Sequence, residues 1–161
     1  MNERYLYRGK RKDNGEWAYG GLDTDWGLEP EQRDRYWIIQ AYLGEALVIP
    51  ETVGQCTGLT DKNGKLIFEG DIVKIVDFQV GIVTNECGAF GVSVNKSIDW
   101  DYLDSEIAEI TGCNNMPYFC RNDNFISLWE LMWNYNQEDF CEVAEVIGNK
   151  WDNPELLEVE K

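Results

Sequence analysis

Histidine is absent from all 161 residues. Ser-His-Asp and Cys-His catalysis therefore cannot operate in this chain, and neither can His-ligated metal hydrolysis. No Gly-x₄-Gly-Lys-Ser/Thr loop and no Gly-rich strand-turn-helix fingerprint occurs, so phosphoryl transfer and nicotinamide chemistry have no visible machinery. The five cysteines, Cys56, Cys87, Cys113, Cys120 and Cys141, form no C-x-x-C pair. That spacing gives a Cys₄ zinc site nothing to build on, and reduced thiols are expected. No run of 18 apolar residues exists to span a bilayer. The first residues, Met1-Asn2-Glu3-Arg4-Tyr5, carry no apolar stretch of the secretory kind. No metal, no cofactor and no membrane partner is expected.

What is present is acid. Thirty Asp and Glu face 14 Lys and Arg, for a net charge of −16. The excess grows along the chain. Residues 1–35 hold 7 basic and 8 acidic side chains, a net −1; residues 36–95 hold 3 and 7, a net −4; residues 96–161 hold 4 and 15, a net −11. Lys and Arg contacts to phosphate dominate nucleic-acid affinity, so direct DNA binding is disfavoured. The local exception, Arg8-Gly9-Lys10-Arg11-Lys12, reads as a solvated hairpin end. Five acids crowd Asp99 to Glu109. Together they could offer oxygen ligands to Mg²⁺ or Ca²⁺, but the spacing is not that of an EF-hand, and a solvated acidic face is the simpler account.

A chain of this length fits one domain and can bury about 68–70% of its unfolded surface. Seven Trp and eight Tyr fit a β-rich core and its rim. An aromatic binding face is the alternative.

Gly punctuates a series of short strands. Asn14-Gly15 and Asn63-Gly64 both signal type I′ hairpin turns, which need positive φ at both central residues. Trp17 and Tyr19 after the first turn parallel Leu66 and Phe68 after the second, a weak internal repeat. Strands are predicted at 4–10, 16–21, 35–40, 46–49, 71–77, 80–86, 89–95 and 143–148. Ile72, Val73 and Ile75 are the expected core of a small barrel. Residues 22–34 and 96–106 read as exposed loops. One helix is predicted near the C-terminus. Ser127-x-x-Glu130 has capping-box form, and Phe125, Leu128, Trp129, Met132 and Trp133 recur at helical spacing. That stripe packs on the barrel or forms an interface, and Trp129, Met132 and Trp133 are the candidate interface residues.

Two segments near opposite ends carry a resemblance. The first runs from Val48-Ile49-Pro50-Glu51-Thr52-Val53-Gly54-Gln55, through Thr57-Gly58-Leu59-Thr60-Asp61-Lys62-Asn63-Gly64-Lys65, to Glu69-Gly70-Asp71-Ile72-Val73. The second is Glu145-Val146-Ile147-Gly148-Asn149 followed by Asp152-Asn153-Pro154-Glu155-Leu156-Leu157. Together they resemble the signature of the YopX family of bacteriophage and prophage proteins. Lys150 departs from the apolar residue usual at its position, so that spot is expected to be solvated. The resemblance implies a mainly β fold with an SH3-like barrel. It covers residues 1 to about 157, and the chain is expected to form a single domain, 1–161: an N-terminal hairpin region (1–49), barrel core (50–96) and acidic C-terminal part with helix and closing strand (97–161). It implies no established activity and no catalytic residues.

The expected function is therefore non-enzymatic: a phage or prophage protein in the bacterial cytoplasm, homo-oligomeric or an adaptor, binding a host or phage protein. The rival is an acidic DNA mimic or accessory factor in phage nucleic-acid transactions. A carboxylate- or thiol-based enzyme is the third reading.

Overall fold

The computed structural model describes residues 5–24, 35–40, 44–76, 79–86, 88–112, 122–132, 140–141 and 143–158. The chain is mainly β, and it divides into two compact units, Met1–Thr57 and Gly58–Lys161.

In the first unit, β1 (Tyr7–Lys10), β2 (Trp17–Thr24), β3 (Tyr36–Gln40) and β4 (Gly44–Val48) form an antiparallel meander. The meander closes at one end. An antiparallel bridge joins Arg11 to Val48, the Ile49 amide donates to the Lys10 carbonyl (2.8 Å) and the Lys12 amide donates to the Leu47 carbonyl (2.9 Å). The start of β5 (Gly54–Asp61) pairs the other edge of β1 at Tyr7 and Arg8. Inside sit Ala18, Ile38, Ala46 and Val48, with Tyr7, Leu22, Tyr36 and Val53 packed around them. Strand alternation puts these residues on one face.

In the second unit the sheet order is β10 (Phe125–Ser127), β9 (Ala89–Val94), β8 (Gln79–Glu86), β7 (Asp71–Ile75) and β12 (Ala144–Asn149), antiparallel throughout. The end of β5 pairs β6 (Leu66–Phe68), and it pairs β11 (Phe140–Cys141) in parallel. Ile67, Val73, Ile75, Val83, Val92, Ile107, Ile126 and Leu131 are among the buried residues of one continuous core. Ile72 is also fully buried. The architecture is an open, barrel-like β sandwich of the SH3-like kind. Closing strands β10 and β12 come from the acidic C-terminal part.

Several local expectations need correction. Asn14 and Asn63 lack positive φ, and only the glycines adopt it: Gly15 at 74° and Gly64 at 77°. The turns are thus not type I′. The Asn63 turn is the three-residue hairpin in which a left-handed Gly completes the reversal. The repeat ends with the turn, because Ala18 rather than Trp17 or Tyr19 faces the first core, whereas Phe68 is buried. β2 runs on through Thr24 into the expected 22–34 loop, most of which lies outside the described residues. Residues 54–61 form a strand that was not predicted.

The expected loop at 96–106 is largely helix α1 (Trp100–Thr111). Asp99 caps it by accepting from the Tyr102 amide (3.1 Å), and Gly112 ends it in the left-handed conformation at φ 69°. Leu103 and Ile107 are fully buried on its inner face. Its acids are distributed along a helix rather than gathered around an ion, and the net acidity of its first turn suits the positive end of the helix dipole. No described helix is long and apolar enough to cross a membrane.

Candidate functional site

The two signature segments meet in the second unit. β7 and β12 pair with Asp71 opposite Asn149, Ile72 opposite Gly148 and Val73 opposite Val146, and a bulge falls between Val146 and Gly148. Three polar side chains organise this junction.

Asp61 is 1% exposed. Its Oδ1 accepts from the amides of Asn63 and Lys65, both at 2.9 Å, which holds the turn between β5 and β6. Its Oδ2 accepts from the Val146 amide at 2.9 Å, across 85 residues of sequence. One buried carboxylate therefore ties the first signature segment to the second. Charge-assisted bonds to backbone amides offset its desolvation. Beside it the Lys62 amide donates to the Ala144 carbonyl (2.9 Å), and Lys62 Nζ pairs with Glu145 Oε2 at 2.6 Å. That ion pair is partly exposed and adds little.

Asp71 is buried too, and its Oδ2 accepts from the Phe68 amide at 2.8 Å. This bond closes the tight Phe68–Asp71 turn. Gly70 sits in it at φ 82°, and a Cβ there would lie 2.3 Å from the Trp151 ring. Only glycine fits, for both reasons. The Gly70 amide donates to the Val83 carbonyl (2.8 Å), and its own carbonyl accepts from Lys150 (3.0 Å). Asn149 Oδ1 accepts from the amides of Trp151 (3.1 Å) and Asp152 (2.9 Å), and its Nδ2 donates to Asp152 Oδ2 (2.8 Å). Lys150 is exposed, as its departure from the family pattern implied, with its ammonium 4.5 Å from the Trp151 ring centroid.

The YopX family model matches residues 6–158. The chain belongs to the YopX family. No curated protein matches it.

In this YopX protein the signature is a structural clasp. Its two buried carboxylates, Asp61 and Asp71, accept from backbone amides. The Pro50-Glu51-Thr52 part, in the first unit, behaves alike: Thr52 Oγ1 accepts from the Lys10 amide (2.8 Å) and donates to the Ile49 carbonyl (2.7 Å). Glu51 is exposed. Among the described residues no three His, Cys, Asp or Glu side chains form a metal-binding group. Cys56 and Cys141 are buried thiols. Burial pushes the Cys141 thiol up to about 12, so it holds no thiolate near neutral pH.

The helix that carries the predicted interface residues is shorter than expected. Phe125 belongs to β10, where Ile126 pairs with Val92, so the helical period cannot begin there. A Cβ on Gly91 would lie 2.2 Å from Phe125 Cζ, which shows how closely that ring lies over the strand. Helix α2 spans only Leu128–Met132. Leu128, Glu130 and Leu131 turn inward, and Trp129 is 51% exposed. Trp133 and the Met132 side chain lie outside the described residues. Trp129 alone of the three is therefore placed, and it faces outward.

The basic run is less solvated than expected. Arg8 is 5% exposed, with its guanidinium 4.8 Å from the Trp17 ring centroid, and Lys10 Nζ lies 5.6 Å from the same ring. Only its hairpin end is free-standing: Arg11 pairs with exposed Asp13 through two bonds of 2.9 and 2.7 Å. The signal for this arrangement was Trp17, which the register sets directly opposite Lys10.

Proposed function

We propose that this chain is a non-enzymatic phage or prophage protein, homo-oligomeric or an adaptor, which binds a host or phage protein. The observation that carries the reading is the commitment of Asp61 and Asp71 to backbone amides. The most distinctive carboxylates of the family segment hold the fold together through these bonds. Large apolar side chains stand at the surface instead: Trp129 at 51%, Tyr102 at 48% and Tyr19 at 46% exposed. Aromatics of this kind are enriched in protein interfaces. The test is capture by tagged full-length chain from infected cells. A protein recovered at low and high salt, and unaffected by added duplex DNA, supports the reading. Recovery of nucleic acid alone contradicts it.

A second reading, mimicry of DNA by acidic surface, has one specific support. The unit from Gly58 to Lys161 carries 7 basic against 20 acidic side chains, a net −13, whereas Met1–Thr57 carries 7 against 10, a net −3. A mimic forms a salt-sensitive complex with a DNA-binding protein, and duplex DNA competes for it.

A further inference from the structure

Two Asn-Gly pairs stand at exposed turns, Asn14-Gly15 and Asn63-Gly64. Asn is a chemically labile residue, and a following Gly makes it more so, because no Cβ shields the Gly backbone nitrogen. That nitrogen attacks the Asn side-chain carbonyl carbon, Cγ. A C–N bond forms, the bond to the side-chain amide nitrogen breaks, and ammonia leaves. The five-membered succinimide so formed adds water at one of its two carbonyls. Opening gives aspartate or isoaspartate, in which the main chain runs through the side chain. Nothing is oxidised or reduced, and water is the one co-reactant.

The backbone does not separate the two sites. Both glycines have positive φ and open space where a Cβ would stand. The Gly15 amide donates to the Arg11 carbonyl (3.0 Å) and the Gly64 amide to the Asp61 carbonyl (2.9 Å). The side chains do separate them. Glu16 holds Asn14 at both ends: Asn14 Oδ1 accepts from the Glu16 amide (3.0 Å), and its Nδ2 donates to Glu16 Oε2 (2.9 Å). Among the described residues the Asn63 side chain has no hydrogen-bond partner, so it can turn onto the Gly64 nitrogen. Attack also builds negative charge. Lys62 and Lys65 beside Asn63 favour it, whereas Asp13 and Glu16 beside Asn14 oppose it.

Asn63 lies within the clasp. Its amide and that of Lys65 both donate to Asp61 Oδ1, and Asp61 Oδ2 carries the tie to Val146. Isoaspartate at position 63 adds an atom to the backbone between those two donors and a carboxylate two residues from Asp61. The extra atom moves the donors out of register. The added charge opposes the buried carboxylate that they stabilise.

We propose that Asn63 is a site of spontaneous deamidation, selected over Asn14 by the fold, and that its conversion to isoaspartate loosens the clasp between the two signature segments. The chain then loses stability with age at one defined turn, whatever it binds.

The test is to age the purified full chain in mildly alkaline buffer, which promotes loss of the Gly amide proton. Peptide mapping by mass spectrometry counts conversion by the mass rise when OH replaces NH₂, and electron-transfer fragmentation tells isoaspartate from aspartate. Position 63 should convert several-fold faster than position 14 in the folded protein, and that ratio should fall in urea-unfolded protein. Aged wild type should show a population with a lowered urea midpoint, in proportion to the isoaspartate formed. Asn63→Gln has no native side-chain bond to lose and closes the ring far more slowly, so it should keep its midpoint through the same ageing. No conversion at 63, or conversion at 14 as fast in the folded protein, overturns the site. Conversion at 63 with an unchanged midpoint, or an equal loss in Asn63→Gln, overturns its hold on the clasp.

Discussion

The two units solve the same problem in opposite ways. The second encloses a continuous core of Ile, Val and Leu side chains, and the signature carboxylates clamp its ends. The first closes a meander around Ala18, Ile38, Ala46 and Val48, with Tyr7 and Tyr36 packed against them, and carries Trp17, Tyr19 and Trp37 on the other side of its strands. The lesson is that apolar content alone does not locate a core. The second unit gathers its apolar residues into one large core, and the first divides them between the two sides of its strands. The two should therefore respond differently to the same kind of damage.

The largest effect is expected at Val73, which is fully buried in the second core. Val73→Asp places an unpaired charge there and should cost about 4 kcal/mol or more, enough to unfold the unit. A soluble variant with an unchanged melting temperature would break the assignment.

Next comes the clasp. Asp61→Ala leaves the amides of Asn63, Lys65 and Val146 without their acceptor. At about 1 kcal/mol per orphaned buried donor, the loss is about 3 kcal/mol. Urea unfolding should show a lowered midpoint with an unchanged slope. Asp61→Asn keeps one acceptor oxygen and should recover part of the loss.

A matched pair sharpens the contrast. Ile107 and Ile38 are both fully buried, one in each core. Ile107→Ala should cost about 4 kcal/mol and Ile38→Ala about 2 kcal/mol, from the two ends of the range for such deletions, because a small core lined by alanines has less packing to lose. Equal costs from denaturant titration would remove the distinction between the cores.

The smallest effect lies at the first hairpin. The Asp13 carboxyl is held below its usual range, first by the hydrogen bond from Arg11. Any stabilisation from it is present above the ordinary carboxylate range and is lost as pH falls through the lowered value. Both groups are exposed, so Asp13→Asn should leave the melting temperature unchanged between pH 3 and 7.

Much of the second unit was legible in sequence, because Ile72, Val73 and Ile75 are β-branched and lie between clear turns. The family segments gave the SH3-like class. Helix α1 was not legible: Asp99, Asp101, Asp104, Glu106 and Glu109 obscured the apolar spacing of Trp100, Leu103 and Ile107. Strand β5 was missed because Gly54-Gln55-Cys56-Thr57-Gly58 has little intrinsic strand preference, and its pairing with β1 is tertiary. The helix over Phe125–Trp133 was drawn too long because 3.6-residue spacing can arise across a strand–helix boundary. Asp61 looked like a turn residue, which it is. Its third bond, to an amide 85 residues away, leaves no local trace. The outward face of Trp17 and Tyr19 depends on how tightly the meander closes, and only packing decides that.

Hydrogen exchange followed by mass spectrometry tests most directly the claim that the second unit, with its one large core, is the more stable of the two. Peptides covering 71–75 and 79–86 should be strongly protected. Those covering 17–24 and 36–40 should be less protected. First-unit peptides as protected as those of the second would contradict the account.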